Sequence, residues 1–168
     1  MLTGLAANGL STAKVLVLGS MPGTESLRQQ QYYAHPRNLF WPIMANLLGF
    51  SAEASYSAKL QALNTAGVAL WDVIGHCQRS GSLDSAIRDE KVNDFTDFFN
   101  HHPHLQAVAF NGAKAWQSFN RHVLSKHAVP TELSLIKLPS TSPAYAAMGF
   151  SEKLAQWQQL KPFIIKNN

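Results

Sequence analysis

The feature that most constrains the fold is a short apolar run at residues 15–18, VLVL, which ends at Gly19. A run without polar alternation is typical of a parallel strand that is covered on both faces. Such a strand requires a helical layer on each side of the sheet. In open α/β sheets ligands usually bind at the carboxyl ends of the strands. We therefore expect a functional site in the residues that follow Leu18.

Three further segments have the character of strands, and helical patterns lie between them. The predicted strands span residues 15–18, 67–75, 107–110 and 133–138, and the predicted helices span residues 38–48, 56–64, about 94–100, a segment after Gly112, and 152–160. Parallel strands need crossover connections, which these helices supply. The alternation predicts a three-layer α/β/α sandwich with a central four-stranded parallel sheet.

The connecting segments are interpreted from their polarity. Residues 24–37 and 75–82 are predicted to be loops at the carboxyl edge of the sheet, and the first ten residues are predicted to pack as an N-terminal arm. Asp84 and Ser151 are expected to cap a short helix and the closing helix, because Asp and Ser are favoured at that position.

Composition narrows the class of protein. The 168 residues suffice for one domain, residues 1–168, with a substantial core. A net charge of +4 permits a polyanionic partner. Cys77 is the single cysteine, which excludes an internal disulfide or a multi-cysteine zinc site and fits a reducing compartment. No run reaches the roughly 18 apolar residues of a membrane span, so we expect a soluble, cytoplasmic protein without a membrane partner. We also expect no bound metal.

Three segments together carry a resemblance to a known family. They are GSMPG (residues 19–23) followed by Ser26, QYYAHPRNLFW (residues 31–41) and LPSTSPAYA (residues 138–146). They resemble the uracil-DNA glycosylase superfamily, and most closely its hypoxanthine-DNA glycosylase branch.

The resemblance implies a uracil-DNA glycosylase-like fold and a monofunctional hydrolase that acts as a monomer without a cofactor. The expected partner is double- or single-stranded DNA that contains a deaminated base. Such enzymes flip the target base out of the stack and cleave its N-glycosidic bond with water. Hypoxanthine is the preferred base in this interpretation, uracil is the close alternative, and adenine and thymine are expected to be rejected.

Three residues are assigned central roles through the family motifs. Asn38 matches the position that orients the attacking water, Tyr33 matches the aromatic that stacks on the flipped base, and Asn111 resembles the asparagine that reads its edge. Each residue also has a structural interpretation. Asn38 fits a helix N-cap, Tyr33 fits a core tyrosine, and Asn111-Gly112 fits a turn.

Further contacts are expected from two loops. Backbone groups at Ser20 and Met21 are predicted to contact the base, and His35 is predicted to donate to the base or to a phosphate. The hydroxyl-rich motif, residues Ser140, Thr141, Ser142 and Pro143, is predicted to bind phosphate oxygens without reading sequence. The alternative for this motif is a polar turn.

The sequence departs from the family pattern at three positions. Met21 stands where several branches carry a catalytic Asn or Asp, Leu138 stands where His or Asn often begins the last motif, and Tyr145 replaces an expected Asn. Two alternatives therefore stay open. One is a uracil- or mismatch-specific glycosylase, and the other is a catalytically silent nucleic-acid-binding domain on the same fold.

Overall fold

The computed structural model describes residues 1–165. The strands are β1 (Leu2–Thr3), β2 (Val15–Gly19), β3 (Val68–Asp72), β4 (Ile74–Gln78), β5 (Arg88–Val92), β6 (Ala107–Asn111) and β7 (Ser134–Leu138). The α-helices are α1 (Thr24–Gln29), α2 (Phe40–Leu48), α3 (Tyr56–Thr65), α4 (Phe95–His101), α5 (Ala113–His122) and α6 (Phe150–Trp157), and 3-10 segments span Asp84–Ala86 and Gln158–Phe163.

The central sheet has the strand order β3-β2-β6-β7, and every pairing in it is parallel. The register places Gly19 beside Asp72 and Asn111 beside Leu138. Because β2 lies between β3 and β6, the carboxyl ends of these strands meet at one edge. The predicted α/β/α sandwich with a four-stranded parallel sheet is confirmed.

Strand β2 is completely buried and separates two apolar cores. Val15 and Val17 belong to the core that α2 and α6 cover, together with Phe40 and Trp157. Leu16 and Leu18 belong to the opposite core, under α4 and α5. Burying each such side chain contributes about 1.5–3 kcal/mol. Helices therefore cover both faces of β2, as the unbroken apolar run at residues 15–18 predicted.

A second sheet was not predicted. It has the order β1-β4-β5 and is antiparallel. The prediction of a loop at residues 75–82 was wrong over the residues of β4, and the N-terminal arm contributes β1, which pairs Leu2 with Cys77. Strand β5 has the sequence RDEKV with no buried residue. The apolar alternation that identifies a strand is missing from it, because Val92 is its one residue packed against an apolar core and the other half-buried residue is Glu90.

Several element boundaries also differ from the predictions. A short helix, α1, occupies part of the predicted loop 24–37. Asp84 does not cap its 3-10 segment, whose N-cap is Leu83, and α6 begins after Gly149 rather than after Ser151. Helix α2 ends at Gly49 with a φ of 80°, the left-handed conformation that favours glycine. Within residues 1–165, no helix is long and apolar enough to cross a membrane.

Candidate active site

A cavity of about 930 Å³ opens at the carboxyl edge of the central sheet. Its lining comes from the turn after β2, the loop before α2, the ends of β3 and β6, the 3-10 segment and the loop after β7. All ten residues predicted to form the site line it, namely Ser20, Met21, Tyr33, His35, Asn38, Asn111, Ser140, Thr141, Ser142 and Pro143. The fold therefore brings these residues together, and their individual roles stay predictions.

Tyr33 is held against the core on one face of its ring. Its centroid lies 4.0 Å from that of Phe40 at an interplanar angle of 17°, and Phe40 is fully buried. Tyr33 is half-buried and also lines the cavity. Its φ of 55° is in the left-handed region, which costs a non-glycine residue about 1–3 kcal/mol. The surrounding packing must hold this conformation.

Tyr32, the residue before Tyr33, is fixed in place by two hydrogen bonds. The Tyr32 hydroxyl donates to the Ala6 carbonyl at 2.8 Å, and the indole of Trp41 donates to the Tyr32 carbonyl at 3.0 Å. By contrast, the buried Tyr33 hydroxyl has no hydrogen-bond partner among the described residues. Burial, with a smaller contribution from Asp72, raises the pKa of Tyr33 well above its usual value. Tyr33 therefore stays neutral at physiological pH.

Asn38 stabilises the start of α2 from one residue before its N-cap, which is Leu39, and its role in orienting water stays a prediction. Its Oδ1 accepts a hydrogen bond from the Phe40 amide at 2.9 Å, which satisfies one of the free donors at the start of α2. Within the described chain its side-chain nitrogen makes no hydrogen bond, and the residue lines the cavity. An amide oxygen has a second lone pair. The helix-start contact thus fixes the side chain while leaving both of its polar atoms able to hold a water.

His35 is exposed, and its Nδ1 accepts from the Arg37 amide at 3.1 Å. A ring nitrogen that accepts a hydrogen bond carries no proton, so the neutral ring is protonated on Nε2. His35 can therefore donate outward from the rim of the cavity, as its predicted role requires.

Asn111 and Thr141 form a reciprocal pair. The Asn111 amide donates to the Thr141 hydroxyl, and the Thr141 backbone amide donates to Asn111 Oδ1, both at 2.9 Å. The Thr141 carbonyl in turn accepts from the amide of Leu39 at 3.0 Å, next to Asn38. Asn111 has one further N–H and one further lone pair, and its side chain acts on the neighbouring Tyr33 hydroxyl, whose pKa it lowers against the larger effect of burial. Thr141 is fully buried, so its hydroxyl holds the loop in place and does not face a phosphate.

The rest of that loop is fixed by a buried lysine that sequence reasoning missed. Lys153 on α6 is 2% exposed, and its Nζ donates to the carbonyls of Tyr145 at 2.8 Å and Ser142 at 3.3 Å. Burial lowers the pKa of this amine. The available signal was its position four residues before the buried Trp157, which places it on the inward face of α6.

The segment that connects β4 and β5 of the second sheet contacts the glycine-proline turn, residues 19–23, and holds it in place. Ser20 donates to Asp84 at 2.6 Å, and Arg79, which follows β4, donates to the Pro22 carbonyl. The Met21 side chain packs into a small apolar cluster with Ile74. Met21 thus fills space and offers neither the amide nor the carboxylate found at this position in several branches of the family that the sequence resembles.

Asp72, at the end of β3, is the other residue whose importance sequence reasoning missed. It is 4% exposed, and its Oδ2 has no hydrogen-bond partner among the described residues. Its carboxyl occupies the space that a Cβ on Gly19 would fill. Burial first, and then the charge of Asp84, raise the pKa of Asp72 to about 7, while Arg79 opposes the shift. The signal was a carboxylate within the apolar run GVALWDVIG.

Groups of at least three potential metal ligands are absent from the part of the chain that the structure describes.

Comparison with known proteins places this site in a family. Residues 8–161 match the family model for the uracil DNA glycosylase superfamily. Two curated relatives named hypoxanthine DNA glycosylase, from Methanosarcina acetivorans and Methanosarcina barkeri, are 42% and 39% identical over 103 residues. The matched segment is 61% of this chain and 65% of each relative, so it spans just under two thirds of their length.

The solution NMR structure of a candidate uracil DNA glycosylase from Methanosarcina acetivorans superposes with a TM-score of 0.78. It is 33% identical and covers 95% of this chain and 98% of its own. The family match over nearly the whole chain, with this fold and this arrangement of motifs, establishes that the protein belongs to the uracil DNA glycosylase superfamily.

Proposed function

We propose that the protein is a monofunctional DNA glycosylase that hydrolyses the N-glycosidic bond of a deaminated base, with hypoxanthine preferred and uracil as the close alternative. The observation that carries the proposal is the meeting of Tyr33, Asn38 and Asn111 in one cavity at the carboxyl edge of the sheet. The names of the two Methanosarcina relatives support the choice of hypoxanthine.

In the proposed reaction the target base leaves the duplex and enters the cavity. The ring of Tyr33 stacks on it, an interaction worth about 1–3 kcal/mol per base. Asn111 pairs with the base through its remaining N–H and lone pair. As the bond to the base lengthens, the sugar acquires positive charge, and Asn38 holds water against it. An amide is a poor base, so its contribution is orientation.

The proposed product is an abasic site in an intact strand. Strand cleavage by a glycosylase requires an amine that attacks the sugar. Lys114, which lines the cavity, is ion-paired with Glu90 at 2.5 Å, and the buried amine of Lys153 is bound to the carbonyls of Ser142 and Tyr145. Water is the attacking group, so the reaction needs no cofactor.

DNA is proposed to be held along the loop after β7 and by cationic groups at the cavity mouth. Ser140, Ser142 and Pro143 are partly exposed there, while Thr141 fixes the loop from within. The exposed Arg37 also lines the cavity, as does Lys114, whose charge is paired with that of Glu90. These groups suit phosphate contacts, which position a duplex without reading its sequence.

Base selection in this proposal comes from hydrogen bonding. Hypoxanthine presents an oxygen acceptor beside an N–H donor, and adenine presents the reverse pattern. Because Thr141 fixes the orientation of the Asn111 carboxamide, a site that pairs with hypoxanthine would leave buried groups unpaired against adenine. The cavity volume lies at the upper end of the roughly 300–1,000 Å³ range of ligand sites, so it admits a purine. We propose a single-domain monomer that works in the cytoplasm, where Cys77 stays reduced.

The test is single-turnover excision from matched duplexes that contain deoxyinosine, deoxyuridine or deoxyadenosine at one position, followed by alkali to cleave abasic sites. We expect rates in the order hypoxanthine, uracil, with adenine untouched. Uracil far ahead of hypoxanthine would favour the uracil-specific alternative. DNA binding without excision of any base would favour a silent binding domain.

A further inference from the structure

The cavity holds a polar group that the proposed reaction has not used. Asp72 lines the cavity at the end of β3, is nine-tenths buried, and keeps Oδ2 unpaired within residues 1–165. Buried polar groups in native proteins are nearly always hydrogen-bonded. An exception at a ligand-binding edge indicates that a ligand supplies the partner.

The neighbours of Asp72 favour its neutral form. Within residues 1–165 no cationic side chain forms a salt bridge with the carboxyl. Tyr32 and Tyr33 approach it from the loop before α2, and Asp84 approaches from the 3-10 segment. Arg79, after β4, opposes the neutral form through its charge. Its Nη2 donates to the Pro22 carbonyl, and its Nε and Nη1 are buried without a partner among the described residues. Asn93, after β5, donates only to the Asp72 backbone carbonyl, at 2.8 Å. A neutral carboxyl has an O–H donor, and these neighbours leave it available.

The sheet places this donor opposite Asn111. The two residues end β3 and β6, on either side of β2, so their backbones are separated by two inter-strand spacings, about 10 Å. That span fits a base held between two hydrogen-bonding side chains. Gly19 lies between them, and its lack of a Cβ makes room for the carboxyl.

We propose that the neutral carboxyl group of Asp72 donates a hydrogen bond to N7 of the flipped purine and thereby selects hypoxanthine over uracil. When the O6 and N1–H edge of hypoxanthine faces Asn111, the next polar atom around the ring is N7, an acceptor. Uracil with its equivalent O4 and N3–H edge in the same place presents C5–H there. The Asp72 donor would then stay unpaired, which is the stronger form of discrimination.

The hydrogen bond also assists departure of the base. The C1′–N9 bond breaks with its electron pair going to the purine, water forms the C1′–O bond, and the proton lost by that water neutralises the base or enters solvent. Asp72 keeps its own proton and stabilises the charge that develops on the ring. The inference rests on the proposed glycosylase activity.

The test compares Asp72→Leu, Asp72→Asn and the wild type on duplexes with deoxyinosine, 7-deazadeoxyinosine and deoxyuridine. The exposed Asp97→Asn serves as the matched control. We expect Asp72→Leu to lower the ratio of hypoxanthine to uracil excision at least about thirtyfold, as loss of a buried hydrogen bond does. Asp72→Asn keeps a donor in the same shape and should recover most of that ratio. The leucine variant should also lose the wild-type preference for hypoxanthine over its 7-deaza analogue.

A pH profile gives a second measurement if the leucine variant does not fold. Wild-type hypoxanthine excision should fall as pH rises and the Asp72 donor is lost, and Asp72→Asn should remove that fall. Equal losses on all three substrates, or wild-type selectivity in the leucine variant together with an unchanged pH profile in Asp72→Asn, would overturn the inference alone. Failure of the wild type to excise either base would overturn the proposed function, and this inference with it.

Discussion

The two walls of the cavity differ in how their polar groups are satisfied. In the paired wall, formed by Asn111 and Thr141 and supported from α6 by Lys153, each side chain is hydrogen-bonded to another part of the chain. In the unpaired wall, formed by Gly19, Tyr33 and Asp72, the Tyr33 hydroxyl and Asp72 Oδ2 are buried without partners. The paired wall therefore maintains the shape of the site. The unpaired wall lacks such contacts, and its Asp72 carboxyl is the group proposed to bind the flipped base.

The largest expected effect tests the unpaired wall through stability. The pKa of Asp72 is raised from 3.8 to about 7, so the native state binds a proton that the unfolded chain releases between these values. Stability from this group is fully present below pH 4 and is lost as pH rises through 7. Linkage gives a fall of up to about 4 kcal/mol across that window.

Chemical denaturation at a series of pH values measures this fall. Asp72→Asn should remove most of it, while Asp97→Asn should leave it in place. An unfolding free energy with the same pH dependence in Asp72→Asn and in the wild type would contradict a neutral, unpaired carboxyl.

The second effect concerns Asn38, which lies between the walls. Asn38→Ala should lower single-turnover excision at least about a hundredfold, because a positioned water is lost, with little change in DNA affinity. It also removes the contact to the Phe40 amide, at a cost of about 1 kcal/mol. Asn38→Ser separates the two roles, since a serine hydroxyl can accept that hydrogen bond. We expect wild-type stability and impaired excision, and wild-type rates in either folded variant would contradict the assignment.

The third effect compares the walls directly by removing one hydroxyl from each. Thr141→Val leaves the Asn111 amide without its partner and should lower the free energy of unfolding by about 1–3 kcal/mol. Tyr33→Phe removes a hydroxyl that has no partner and should leave stability equal or slightly higher. Thermal unfolding of the two variants side by side checks this. Equal losses would mean that the walls do not differ in the way described.

The smallest effect separates phosphate contacts from base contacts. Affinity for undamaged DNA should fall about tenfold between 50 and 200 mM salt, the change expected for roughly two neutralised phosphates, with little dependence on sequence. The additional affinity for a duplex with hypoxanthine should be nearly independent of salt, since it arises at the neutral unpaired wall. Fluorescence anisotropy over a salt series measures both, and salt-independent binding of undamaged DNA would contradict the phosphate contacts.

The parts of the molecule that could be predicted are those where one physical signal dominates. The run at residues 15–18 is apolar because both faces are covered, so it identified the central strand and the edge where the site lies. Strand β5 could not be found in this way, because its exposed residues have no apolar period. Helix α1 was missed because its six residues, TESLRQ, bury only Ser26.

The site residues also divide into those that a local sequence signal identified and those that it did not. Residues within a contiguous motif, such as Tyr33 and Asn38, were identified from the sequence and lie in the cavity. Asp72 and Lys153 belong to segments that read as an ordinary strand and helix, and only the tertiary structure places them near the motifs. Burial of a charged side chain depends on which elements pack over it, so local patterns carry little information about it.

The hydrogen bonds of Thr141 connect the position of Asn111 to that of Asn38. Thr141 bonds to Asn111 on one side and, through its carbonyl, to Leu39 on the other, one residue from Asn38. Any displacement of this loop by a docking duplex is therefore transmitted both to the residue proposed to recognise the base and to the residue proposed to hold the water. A free nucleoside has no flanking phosphates with which to press on the loop. A free nucleoside would therefore enter the same cavity without moving the loop. In this proposal, binding of the DNA backbone is coupled to the positions of Asn111 and Asn38 through the contacts of Thr141.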